Sequence, residues 1–220
     1  MNAAIISLFG LGFLLGLKHA FDADHIAAIS ALNSKNPSSR GFFWGIGHTI
    51  SLFAAGCLIL IFKITIPGKL ALSFEFIVGL MLAVLGFNVL ITLRKNKFHF
   101  HKHRHHAKEH IHLHSHLATK NHSHGHTPLL IGLIHGLAGS AALALLALPA
   151  IDSVAVGLFY ILVFGVGSVI GMVIISSMIS LPFKILANKF DSVNRIMKLS
   201  TGLASLMMGI GIMYGTMLLF

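Results

Sequence analysis

The stretch Lys18-His19-Ala20-Phe21-Asp22-Ala23-Asp24-His25-Ile26 places five ionisable side chains inside an apolar run that covers residues 3–31. An apolar run of about 20 residues is long enough to cross a hydrocarbon core of about 30 Å. Ionisable groups are costly in lipid, and inside a membrane helix they usually mark a substrate path. The stretch therefore predicts a membrane helix that carries a functional site.

The composition of the whole chain agrees with a membrane location. Hydrophobic residues make up 55% of the 220 residues and charged residues only 10%, whereas soluble domains carry about 25% charged residues. The 16 Lys and Arg outnumber the 6 Asp and Glu. In so apolar a chain this excess favours contact with anionic lipid and not with nucleic acid. A single cysteine, Cys57, excludes an internal disulfide and a thiolate cluster.

Six apolar runs are long enough to span the bilayer, and all must be helical because open strands would leave backbone groups unpaired in lipid. We therefore predict an all-α polytopic membrane protein. The first run lacks a basic leader and a cleavage site, so we interpret it as a span and not as a signal peptide. The predicted spans are 3–31, 41–62, 71–93, 128–149, 153–181 and 196–219.

Basic residues are distributed unequally between the two sides of these spans. The connections after spans one, three and five, with their flanks, hold 13 Lys and Arg, whereas the other side holds only Lys63 and Lys69. By the positive-inside rule the richer side is cytoplasmic. This predicts that both termini lie outside and that the connection 94–127 lies in the cytoplasm.

Three short motifs of the first half recur in order in the second half, at offsets of 116, 120 and 123 residues. Two halves with three spans each would be an inverted repeat, the plan from which many secondary transporters are built. We predict a first repeat over 1–93, a connecting loop over 94–127 and a second repeat over 128–220. The alternative is that these glycines only permit close helix packing. The paired motifs begin at Gly16 and Gly132, at Gly45 and Gly165, and at Gly79 and Gly202.

The histidines are concentrated in two places. Of the 16 in the chain, 12 lie in 99–126, and the remaining four are His19, His25, His48 and His135, all inside predicted spans. Neutral imidazole is a common ligand of nickel, cobalt, copper and zinc. Four intramembrane histidines joined by two aspartates therefore favour a transition-metal path over isolated helix-to-helix hydrogen bonds.

The first-span motif leaves the role of its aspartates open. On an unbroken helix His19, Asp22 and His25 share one face, and Asp24 points nearly the opposite way. Either the helix unwinds here, or Asp24 supports a ligand indirectly. The alternative without a metal is a Lys18–Asp22 ion pair that locks the helices together. The candidate metal site comprises His19, Asp22, Asp24, His25, His48 and His135.

The histidine-rich tract over 99–126 shows no helical period or apolar face. We interpret it as a disordered cytoplasmic loop that binds transition metals loosely and buffers them. It is a candidate docking segment for a cytoplasmic metal chaperone. A plain linker between the repeats is the alternative.

The motif from Lys18 to Ile26 resembles the signature of the nickel/cobalt transporter (NiCoT) family, in which a histidine is followed after four residues by aspartate and histidine. The Gly-x-Gly-His turn ending at His48 and the histidine-rich central loop are also similar to family features. The six-span layout is similar to the short members of the superfamily. The resemblance implies that His19, Asp24 and His25 recognise nickel, with His48 as the next candidate.

Together these features predict a permease of the plasma membrane that moves nickel, with cobalt as a second candidate substrate, into the cytoplasm. The ion would be a substrate, without a permanent cofactor, and the chain would not be an enzyme. The sequence leaves three alternatives open: an efflux permease with the same site, a histidine-box membrane metalloenzyme, and a metal sensor that binds without transport.

Overall fold

The computed structural model describes residues 3–32, 36–64, 66–95, 100–105, 108–113, 126–137, 153–186 and 191–220. Helices dominate this part of the chain, as predicted. They are α1 (Ala3–His19), α2 (Ala23–Ala31), α3 (Pro37–Phe62), α4 (Gly68–Lys95), α5 (His126–His135), α6 (Val154–Leu186) and α7 (Asp191–Leu219). Two strands, β1 (Phe100–His105) and β2 (Lys108–Leu113), lie between α4 and α5.

Four helices are long and apolar enough to cross a membrane: Pro37–Phe62, Gly68–Arg94, Val154–Phe183 and Ser192–Leu219. A fifth span results if α1 and α2, which meet at an angle of 49°, are taken as one broken segment. The chain is therefore a multi-pass membrane protein. Of the predicted span 128–149, α5 covers only the beginning, and residues 138–152 lie outside the described part.

The helices of the two chain halves interleave. Helix α1 packs against α6, α3 packs against both α5 and α6, and α4 pairs with α7. The short α2 lies between the α4–α7 pair and the remaining helices, since it contacts α4, α6 and α7.

Glycines set the closest helix contacts. A Cβ on Gly16 would lie 2.0 Å from the Phe164 carbonyl oxygen, and a Cβ on Gly132 would lie 2.1 Å from that of Trp44. Gly132 lies 116 residues after Gly16, and Phe164 lies 120 residues after Trp44. These are the offsets of the first two motif pairs, so the two contacts correspond to each other. In the α4–α7 pair, Gly79 likewise faces the carbonyl of Gly209 and Gly86 faces that of Gly202.

The histidine-rich connection differs from the prediction. Strands β1 and β2 form an antiparallel hairpin in which Phe100 is paired with Leu113 and His103 with His110. The predicted disorder is therefore wrong for 100–105 and 108–113. In β1 histidine alternates with other residues, and a repeat of two matches the period of a strand. The rest of the tract, except His126, lies outside the described residues.

Candidate metal site

A break between α1 and α2 shapes the centre of the site. Helix α1 ends at His19, and the next residues form a turn in which the Asp22 N–H donates to the His19 carbonyl at 3.0 Å. Asp22 is the N-cap of α2 and has an extended backbone (φ −64°, ψ 149°). Acidic residues suit this position because the N-terminal end of a helix carries partial positive charge. A break in the first helix, one of the two possibilities left by the sequence, is therefore present.

Four histidines meet at this break. His25, His48 and His135 are fully buried and His19 is 6% exposed. Ring centroids are 4.2 Å apart for His25 and His135, 4.5 Å for His19 and His25, and 5.1 Å for His19 and His48. The rings come from α1, α2, α3 and α5, so four helices contribute to one histidine cluster.

Both aspartates hold imidazole rings of this cluster. Asp22 Oδ2 lies 2.9 Å from His19 Nδ1. Asp24 Oδ1 lies 3.0 Å from His25 Nδ1, and its Oδ2 lies 3.0 Å from His135 Nε2. An ionised carboxylate only accepts hydrogen bonds, so each of these ring nitrogens carries the proton and donates it. Such bonds fix the tautomer and orientation of metal-ligating histidines.

These protonated nitrogens leave the opposite ring nitrogens of His19 and His25 with a lone pair that could bind a metal. His19 Nε2 lies 3.2 Å from His48 Nε2, and His25 Nε2 is buried with no hydrogen-bond partner among the described residues. Ligand atoms of His19, His25 and His48 lie within 4.8 Å of one another. Nitrogens that bind one ion at about 2.1 Å are at most about 4.2 Å apart, so a small adjustment would let the three share an ion.

A second group of potential ligands adjoins the first. Atoms of Asp24, His25 and His135 also lie within 4.8 Å of one another. His25 belongs to both groups, and His135 keeps one buried ring nitrogen, Nδ1, without a partner among the described residues. The cluster therefore offers two overlapping sets of donors.

Aromatic side chains form the walls of the cluster. Trp44, which is 1% exposed, stacks on His25 with centroids 5.4 Å apart and an interplanar angle of 26°. The ring centroid of Phe164 lies 5.6 Å from that of His19. These rings exclude water and strengthen the electrostatic interactions inside. Sequence reasoning missed Trp44, although its position one helical turn before His48 on α3 would have been a signal.

The structure brings all six predicted site residues together. Asp22 is the outermost carboxylate, 42% exposed against 17% for Asp24. Among the described residues Asp22 pairs with His19 and forms no ion pair with Lys18, so the alternative of a Lys18–Asp22 pair is not observed. Ser168, which the paired sequence motifs align with His48, donates to the carbonyls of Gly16 and Phe164 and so joins α6 to α1.

Apolar spanning helices and a buried cluster of imidazoles and carboxylates define a polytopic membrane protein with a candidate site for a divalent transition metal. Residues 5–219 match the model of the NicO family, described as high-affinity nickel-transport protein, and the chain belongs to this family. It is therefore a nickel transporter by family, not an enzyme, and the metalloenzyme alternative is excluded.

Individual relatives are similar to the chain over different lengths. The chain is 37% identical over 215 residues to the urease accessory protein UreH of Bacillus sp. (strain TB-90), covering 96% of this chain and 92% of that protein. It is 51% identical over 55 residues to the nickel transporter NixA of Staphylococcus aureus, covering 21% of this chain and only 16% of the relative. A segment of 45 residues is 47% identical to the cobalt transport protein NhlF of Rhodococcus rhodochrous, covering 18% of this chain and 13% of the relative. No solved structure matches the chain.

Proposed function

We propose that this protein is a secondary permease that carries Ni²⁺, with Co²⁺ as a second substrate, into the cytoplasm. The observation that carries the proposal is the set of three buried histidines, His19, His25 and His48, with ligand nitrogens within 4.8 Å of one another. Two of them are oriented by aspartates. Imidazole donors of this kind suit nickel and cobalt.

In this proposal each side chain has a distinct role. The ion exchanges water for the nitrogens of His19, His25 and His48. Asp24 supplies negative charge beside the ion and orients His25 and His135, whereas Asp22 orients only His19. Since His25 also belongs to the second donor group, the ion can pass toward His135 without losing all its ligands.

The electrical driving force favours entry. Moving a double positive charge down a membrane potential is worth about 4.6 kcal/mol per 100 mV, twice the value for one charge. An importer can therefore run without ATP. The proposed orientation in the plasma membrane follows from the 13 basic residues on one side against Lys63 and Lys69 on the other, with both termini outside and the histidine-rich connection inside.

We also propose that six spans form two inverted three-helix repeats, 1–93 and 128–220, that alternate access to the site. In support, the contact of Gly16 with Phe164 has a counterpart at Gly132 and Trp44. The close contact of Gly79 with the Gly209 carbonyl likewise has a counterpart in the contact of Gly86 with the Gly202 carbonyl. The histidine-rich connection would buffer metal, with a metal chaperone as a candidate partner.

Accumulation of radioactive nickel in cells expressing the chain tests this function. We expect wild-type protein to raise cellular nickel above the empty-vector level and His19→Ala to abolish the increase. His122→Ala, which removes a histidine outside the cluster, should leave uptake unchanged at equal membrane abundance. Deletion of 99–126 should preserve substantial uptake.

Two outcomes would contradict the proposal. Lower nickel in expressing cells than in controls would establish export. Undiminished uptake by His19→Ala, at equal abundance in the membrane, would show that the histidine cluster is not the transport site.

A further inference from the structure

A cavity of about 350 Å³ lies away from the histidine cluster. It is an open cavity bordered by the last turn of α2, the first turn of α3, the last turns of α4, and parts of α6 and α7 near the same end of the bundle. None of the four clustered histidines lines it. We call it the joint cavity, because it lies where the α4–α7 pair meets the helices that bear the site. Its lining residues include Arg40, Asn88, Phe183 and Lys198.

The lining of the joint cavity combines positive charge with apolar surface. Arg40 from α3 and Lys198 from α7 are both only partly exposed, and no described residue that lines the cavity is acidic. Lys198 forms no ion pair with any described residue. The side-chain amide of Asn88 is a further donor. Leu85 and Val89, on the α4 wall, are apolar.

This lining suits an anion and opposes a cation. A lysine that is partly withdrawn from water and has no ion pair among the described residues, as Lys198 has none, is stabilised by a negative group beside it. Arginine and lysine recognise phosphate through charge-assisted hydrogen bonds. The same charges would repel Ni²⁺, so the cavity is a poor passage for the transported ion.

We propose that the joint cavity binds the phosphate of an anionic phospholipid. Arg40 and Lys198 contact the phosphate, and an acyl chain lies along Leu85 and Val89. Basic pockets between membrane helices are known sites for anionic headgroups, and the apolar wall beside the charges distinguishes a lipid from free inorganic phosphate.

The position of the cavity gives the bound lipid a mechanical role. Among the described residues α3 and α7 have little direct contact, so a phosphate held by both Arg40 and Lys198 would connect the two helix groups. Ser30 and Leu32, which also line the cavity, belong to the end of the segment whose beginning carries Asp24 and His25. The lipid would therefore hold the element that carries the metal ligands.

Native mass spectrometry and thermal unfolding of the purified full-length chain test this site without requiring transport. We compare phosphatidylglycerol, phosphatidylcholine and inorganic phosphate as added ligands. The variants are Lys198→Gln and Arg40→Gln, and the matched control is Arg195→Gln, which removes an exposed charge from the same helix α7 as Lys198 without touching the cavity. The binding free energy that one cation contributes near an anionic headgroup corresponds to about a fivefold change in affinity. We therefore expect about fivefold weaker phosphatidylglycerol binding in each of the two cavity variants, Lys198→Gln and Arg40→Gln.

We expect wild type and Arg195→Gln to retain phosphatidylglycerol and to melt at a higher temperature in its presence. Both the retention and the rise in melting temperature should be smaller in Lys198→Gln and Arg40→Gln. Equal lipid binding by all four proteins would overturn the proposal. Equal stabilisation by phosphatidylcholine would show that negative charge is not recognised. Stabilisation by inorganic phosphate as strong as that by phosphatidylglycerol would overturn the assignment to a lipid.

Discussion

Replacing Asp24 by asparagine should weaken nickel binding strongly while leaving the protein folded. In the native chain the two carboxylate oxygens accept from His25 Nδ1 and His135 Nε2, each at 3.0 Å. Asparagine has nearly the same shape but only one acceptor oxygen. Its amide nitrogen would therefore face one ring N–H as donor against donor, and that ring would lose its orientation.

The size of the effect follows from the contacts. One hydrogen bond to a charged group contributes about 1.5–3 kcal/mol, which corresponds to roughly 10–100-fold in affinity. Loss of a carboxylate that orients a metal-ligating histidine typically weakens metal binding by about the same 10–100-fold. The two estimates agree, so we expect an affinity about 10–100 times lower.

Equilibrium binding of radioactive nickel to purified protein measures this change. Asp22→Asn should have a smaller effect, because Asp22 holds one ring instead of two and is 42% exposed, so that water can replace it. Glu75→Gln removes a carboxylate of α4 that takes no part in the cluster's hydrogen bonds, and it should bind nickel like wild type. Unchanged affinity of Asp24→Asn, with this control intact, would refute the orienting role.

Three further predictions concern packing, the aromatic wall and acid. Gly167→Ala should lower the melting temperature by several degrees, because the new Cβ would lie 2.3 Å from the Phe13 carbonyl oxygen and overpacking costs about 1–3 kcal/mol; Gly10→Ala, which has no neighbour within 4 Å, should not. Trp44→Phe should keep the stacking on His25 and bind nickel with an affinity within about tenfold of wild type. Trp44→Ala should lower both the melting temperature and the nickel affinity, as measured by thermal unfolding and nickel titration. Equal behaviour of the two variants would contradict the stacking role. Nickel affinity of the purified protein should fall as the pH is lowered, since bound imidazoles must be unprotonated, and affinity that rose with added acid would contradict histidine ligands.

Several features of this protein could be predicted from the sequence because they depend on one segment at a time. The length and apolarity of each run predicted the spans, and α3, α4, α6 and α7 confirm four of them. Ionisable residues in such runs identified His19, His25, His48 and His135 as site candidates. The sequence did not decide whether the first helix is broken, because a helical period predicts side-chain positions only where the helix is regular.

Tertiary structure decided how those candidates act together. It joined Asp24 to His135, 111 residues further along the chain, and so showed that this carboxylate orients two rings. It placed Trp44 over His25 and brought Arg40 and Lys198 to one cavity. A sequence pattern predicts which face of an element a residue occupies. The residue that it contacts on another element is determined only when the glycine-lined helices pack closely together in one arrangement.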